Sequence, residues 1–186
     1  MADTDTRSLN GIDMERLGAL FEQAHASEGP MTFELGTRHR WLGGQASEGY
    51  ATSLDALGET IDRSHHTFHN DLPAVLAGDD AGPGPTELLL GAVGACVTTA
   101  LVQQATAQGI RLDRLEIDTR ATLDARGVFG VEGTAVGPQG ITLRFSIDAD
   151  AEPEQLEALA NAAIASSPTA AAIAQRTPVR AEVRRS

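Results

Sequence analysis

Pro85-Thr86-Glu87-Leu88-Leu89-Leu90-Gly91-Ala92-Val93-Gly94-Ala95-Cys96-Val97-Thr98-Thr99-Ala100-Leu101 is apolar on nearly every face of a helix, the pattern of a core element rather than a surface one. A Gly/Pro-rich lead, Gly82-Pro83-Gly84-Pro85, opens it, and Gln108-Gly109-Ile110 stops it. Gly91 and Gly94 each cost about 1 kcal/mol against alanine inside a helix, so something is expected to pack close to the backbone there. Cys96, the only cysteine of the chain, lies in the middle of this segment. A free cysteine so placed reads two ways, as a small buried hydrophobe or as a reactive thiol.

The segment resembles the OsmC family, the osmotically induced and organic hydroperoxide resistance proteins. In that family P-x-E-L-L-L-x-A-x-G-A-C opens a long central helix whose cysteine is the peroxidatic thiol. The match runs through Pro85, Glu87, Leu88 to Leu90, Ala92, Gly94, Ala95 and Cys96 without a gap. Upstream, Arg40-Trp41-Leu42-Gly43-Gly44 is similar to the family's N-terminal hairpin, and Asn70-Asp71-Leu72-Pro73 to the loop before its helix. Downstream, Arg111 to Ile117 resembles the strand that follows, and Ser166-Ser167-Pro168 stands where the family places Cys-Pro. The resemblance implies an α+β fold with antiparallel sheets wrapped around long central helices in an intertwined homodimer. It divides the chain into an N-terminal extension, 1–30, and an OsmC-like domain, 31–186.

Composition narrows the partners. With 186 residues the chain can bury a core without disulfide staples, and one cysteine forbids an intrachain disulfide, which points to a reducing compartment. A formal net charge of −12, with no lysine, argues against nucleic acid and anionic membranes, which need clustered cations. The N-terminus is acidic without an apolar signal core, and no apolar run is read as reaching the length of a membrane span. A soluble, cytoplasmic protein is expected. The lysine-free, Ala/Gly/Arg-rich composition is associated with a GC-rich bacterial genome.

Residues 1–9 read as disordered, and Met14, Leu17, Leu20, Phe21 and Ala24 recur at helical spacing behind an Asp13 cap. Residues 32–41, 49–54 and 59–69 read as three strands of an antiparallel meander. Alternation over Leu115–Leu123 and Ile141–Ile147 gives two half-buried strands. Pro153 stands at the first position of a helix running to Ala165, Pro168 starts a short helix through Gln175, and Val179, Ala181 and Val183 alternate as a closing edge strand. Strands, long helix, strands, helices, strand is an α+β order. A central helix with no polar face asks for more cover than one half-polar sheet offers, hence a partner subunit.

Thiol peroxidase chemistry needs an ionisable thiol, a cation that stabilises thiolate and orients peroxide, and a second thiol to capture the sulfenic acid. Cys96 supplies the first. In the peroxidatic members the cation is an arginine directly after the hairpin glycine pair, where this chain has Gln45; Arg40 or Arg38 of the preceding strand is the candidate replacement. The carboxylate that holds it directly follows the proline, where this chain has Thr86 with Glu87 next; Glu87 reads equally as a first-turn complement to the helix dipole. The resolving cysteine is Ser167 here, so a two-cysteine cycle within one chain is excluded. Two functions stay open: a one-cysteine reductase of organic hydroperoxides using Cys96, Glu87 and Arg40 with an external thiol reductant, its apolar pocket formed by Leu89, Val93 and the partner's strands, or a protein that binds a small apolar or thiol-reactive ligand in the dimer pocket. No cofactor or metal is implied. His65, His66 and His69 are assigned to a strand, where 65 and 69 share a face and no third ligand is evident.

Overall fold

The computed structural model describes residues 8–175 and 177–183. In chain order these form β1 (Ser8–Leu9), β2 (Ile12–Asp13), α1 (Met14–Ala26), β3 (Phe33–Gly43), β4 (Ala46–Ala56), β5 (Glu59–Ile61), β6 (Thr67–Asn70), a single 3-10 turn at Ala74–Leu76, α2 (Pro85–Ala107), β7 (Leu112–Ala121), α3 (Ala125–Val128), β8 (Ile141–Ala149), α4 (Pro153–Ala165) and α5 (Pro168–Ala174). All strand pairs are antiparallel, so the fold is α+β as expected. The chain divides into two compact units: the described residues up to Leu17 together with those from Leu90 onward, and Gly18–Leu89.

The first unit holds the core. Val93, Val97, Leu101 and Ala105, spaced four apart on α2, form one buried stripe with Ile110 and with Leu159 and Ala163 of α4. Against it pack the inward residues of the β7–β8 hairpin, Leu115 and Ile117 facing Phe145 and Ile147. Gly94 presents its α-carbon to β7: a Cβ there would stand 3.0 Å from Thr119 Oγ1. The close approach expected at Gly94 is therefore made within the chain, while Gly91 has nothing within 4 Å. Val93, expected to wall a pocket, belongs to the core instead.

Helix α2 ends where its sequence stops it. Gly109 takes φ +73, its N–H donates to Thr106 O at 3.0 Å and that of Ile110 to Ala105 O at 2.8 Å, the two bonds of a Schellman cap. At 23 residues α2 is long and apolar enough to cross a membrane, which corrects the sequence reading of its length; its buried stripe is that of a core helix. Ser8 and Leu9, read as disordered, pair with β2 across an Asn10-Gly11 turn. Asn10 then ties this hairpin to the helix end: Nδ2 donates to Thr106 Oγ1 at 3.1 Å and Ile110 O at 2.9 Å, and Oδ1 accepts from Leu112 N at 2.8 Å. Asp13 caps α1 as expected, its Oδ1 accepting from Arg16 N at 3.0 Å.

In the unit Gly18–Leu89, β4 pairs with β3 along one edge and with both β5 and β6 along the other. The run 59–69 is thus two strands, not one, and the sheet is not a simple meander. The Asp62 carboxylate accepts from Ser64 N at 2.9 Å and turns the chain between them, which places His65 and His66 in the turn and leaves only His69 on a strand. Among the described residues no group of histidines and carboxylates is arranged to hold a metal ion. The closing strand is also absent: 177–183 carries no regular structure, and residue 184 lies outside the described residues.

Candidate functional site

Cys96 lies on α2 next to the buried stripe and is itself half-buried. Its neighbours come from the junction of α4 and α5. Pro168 at the first position of α5 ends the preceding helix and makes Ser167 the N-cap, whose Oγ accepts from Ala170 N at 3.2 Å. Thr169 follows on the same turn, its Oγ1 3.1 Å from Ser167 Oγ. Ser167 is 1 % exposed. Burial pushes the Cys96 thiol up, and hydrogen bonds from the Ser167 hydroxyl, the Thr169 hydroxyl and the Thr169 amide more than offset it, so the thiol ionises below its ordinary value.

The position of the family's Cys-Pro falls on this buried cap, Ser167-Pro168, whose hydroxyl is among the groups that lower the Cys96 thiol. Thr169 is a residue that sequence reading missed. The only signal for it was the Ser-Pro-Thr start of α5, which puts a second hydroxyl two positions after the cap.

Arg40 and Glu87 belong to the other unit, Gly18–Leu89, and each is engaged there. Arg40, on β3, has its guanidinium 2.6 Å from Glu48 Oε2 on the paired strand, with His69 Nε2 3.9 Å from the other carboxylate oxygen. Glu87 Oε2 accepts from Gly84 N at 2.6 Å. With Pro85 at the first helical position, Gly84 is the cap and Glu87 the third residue, so this is the carboxylate half of a capping box. The helix-terminus reading of Glu87 thereby gains a definite contact. Gln45 lies with Gly44 in the β3–β4 turn, and Trp41 Nε1 donates to Gly44 O at 3.1 Å.

The loop before α2 is built around Asp71, 1 % exposed. Its Oδ1 accepts from Leu72 N at 2.8 Å and its Oδ2 from Asp79 N at 3.0 Å and Ala81 N at 3.2 Å. The Leu72 amide foremost lowers the pKa of this carboxyl, burial opposes it, and the Ala81 and Asp79 amides add to the lowering.

Comparison with known proteins agrees with this architecture. No curated protein sequence matches the chain. Among solved structures, the chain is similar to an OsmC-like protein from Mycoplasma pneumoniae (15% identity, TM-score 0.54, 80% of this chain and 89% of that one). An OsmC-like protein of unknown function from Vibrio cholerae is similar at 13% identity and TM-score 0.54, over 75% of this chain and 92% of that one. A candidate osmotic-stress-induced and detoxification-response protein from Psychrobacter arcticus 273-4 is similar at 15% identity and TM-score 0.54, over 79% and 90%. The family model described as OsmC-like protein matches residues 78–182, more than half of the chain, Cys96 and Ser167 included: the chain belongs to the OsmC-like family.

Proposed function

We propose that this protein is a one-cysteine, thiol-dependent reductase of organic hydroperoxides, working as a cytoplasmic homodimer with an external thiol as reductant. What supports it best is the family match across Cys96, together with a thiol that ionises below its ordinary value, which favours the thiolate that attacks peroxide. The thiolate attacks one peroxide oxygen, the S–O bond forms as the O–O bond breaks, and the departing alkoxide takes a proton to leave as alcohol. Cys96 is then a sulfenic acid. Ser167 has no thiol to capture it, so an external thiol condenses with it, releasing water and leaving a mixed disulfide. A second external thiol displaces Cys96 as thiol and departs as the external disulfide. Arg40, held by Glu48, is the proposed cation, and Glu87 the proposed carboxylate of the site.

Gln45 at the family's arginine position favours a second reading, in which a pocket of the proposed dimer binds a small apolar or thiol-reactive ligand without turnover. Hydroperoxide consumption with dithiothreitol separates the two. Catalytic consumption by the native protein, lost in Cys96→Ser, supports the reductase; equal, background consumption by both leaves the binding protein.

A further inference from the structure

One side chain closes the C-terminal end of α2. Asn10 and Gly11 form the two-residue turn between Leu9 and Ile12, at φ 53 and 76, the positive values that Asn-Gly adopts in a type I′ hairpin. The Asn10 carboxamide is fully engaged: Nδ2 donates to Thr106 Oγ1 and Ile110 O, and Oδ1 accepts from Leu112 N. Thr106 and Ile110 are both buried. Thr106 gives its own hydroxyl proton to Val102 O at 2.7 Å, so towards position 10 it only accepts, as the Ile110 carbonyl does. These two contacts therefore require a donor, which an amide supplies and a carboxylate does not.

Asn10-Gly11 is also the only Asn-Gly pair of the chain. Such a pair carries its own reaction, because glycine has no side chain to keep its amide nitrogen from the asparagine carboxamide. That nitrogen attacks Cγ, the Cγ–Nδ2 bond breaks, and the proton lost from the Gly11 amide leaves with Nδ2 as ammonia. Water then opens the succinimide, at one carbonyl to aspartate and at the other to isoaspartate.

We propose that Asn10-Gly11 is a self-modification site guarded by its own clasp: the fold slows deamidation there, and conversion, once complete, irreversibly releases the Ser8–Asp13 hairpin from the end of α2. Ring closure draws Cγ onto the Gly11 nitrogen and pulls the carboxamide off its three partners, which opposes the reaction in the folded chain. The product reverses the balance. At neutral pH aspartate sets a carboxylate oxygen against Thr106 Oγ1 and Ile110 O, two buried acceptors, and isoaspartate also adds a carbon to the backbone of a turn whose register allows none. Gly11 is exposed, so water reaches the ring. The site is independent of the chemistry at Cys96.

The test is incubation of the full chain at mildly alkaline pH, native and in urea, followed by peptide mass mapping that separates aspartate from isoaspartate. Asn10 is expected to convert at least about tenfold more slowly in the native chain, the factor that one to two net hydrogen bonds supply. Hydrogen exchange then reads the release. In Asn10→Asp with native circular dichroism, the Leu112 amide is expected to exchange at least about fivefold faster than in the native protein, the loss of about one hydrogen bond. Native protein aged to partial conversion and fractionated by charge gives the same readout without a variant. Equal rates in the native and urea-unfolded chain overturn the guard, and no conversion at Asn10 in urea overturns the site. A Leu112 amide that exchanges as slowly as in native protein, or more slowly, in both Asn10→Asp and the aged fraction overturns the release.

Discussion

At the scale of single residues the site turns on position 167. A serine there caps α5 and helps to hold the Cys96 thiol below its ordinary value, but cannot form a disulfide. Native protein given excess hydroperoxide without an added thiol is expected to carry Cys96 to the sulfinic or sulfonic form. Ser167→Cys restores a thiol at the position where the family places Cys-Pro, so peroxide is expected to close an intrachain disulfide with Cys96, seen as a loss of two hydrogens in the intact mass. Losing the cap costs about 0.5–2 kcal/mol, which the same variant should show as a lower melting temperature when reduced. Addition of oxygens with no disulfide would withdraw the resolving-position assignment. Ser167 was legible in the sequence because Ser-Pro fills a Cys-Pro position. Thr169 was not, because its place depends on a corner between two helices that no local pattern encodes.

At the scale of elements, the long periodic segments declared themselves: Pro153–Ala165 came out with the bounds its proline and apolar spacing predict, and β7 and β8 follow their alternation within a few residues. What failed were short stretches decided by turns and partners. The Asp62 turn splits 59–69, Asn10-Gly11 makes a hairpin of a tail, and Val179 to Val183 alternates but has no strand to pair with among the described residues. The Asp71 loop is another such element, organised by one carboxylate and three amides. Its carboxyl ionises below the usual range, so its contribution to stability is complete above about pH 4, the unfolded value, and is lost as pH falls through the lower folded one. Asp71→Asn is expected to be less stable than the native protein at neutral pH, with the gap narrowing below about pH 4. Urea midpoints at neutral pH and at about pH 3 check this; a gap that does not change with pH would mean that charge is not what holds the loop.

At the scale of the whole molecule, the distribution of burial is uneven. Every buried apolar side chain among the described residues belongs to the unit that begins again at Leu90, whereas Gly18–Leu89 buries none and exposes Leu35 and Trp41, each at 74%. Such exposure marks surfaces made to be covered. Helix α2 shows the same imbalance: Val93, Val97 and Leu101 are buried, while Gly91, Ala92, Ala95 and Thr99 form an exposed face of small residues. This is the observation on which the proposed homodimer rests, and it separates the two glycines. Gly94 already meets Thr119 of its own chain, so Gly94→Leu is expected to overpack the fold itself and lower the melting temperature. Gly91 meets nothing within 4 Å, so Gly91→Leu is expected to leave the folded chain intact and to act on association alone. If the small-residue face packs against a partner, that substitution should weaken the dimer by about 1–3 kcal/mol, roughly fivefold to more than a hundredfold in Kd. Sedimentation over a concentration series reads it. A native mass of one chain for the unmodified protein would end the dimer proposal, and an unchanged Kd in a dimeric Gly91→Leu would move the interface off this face.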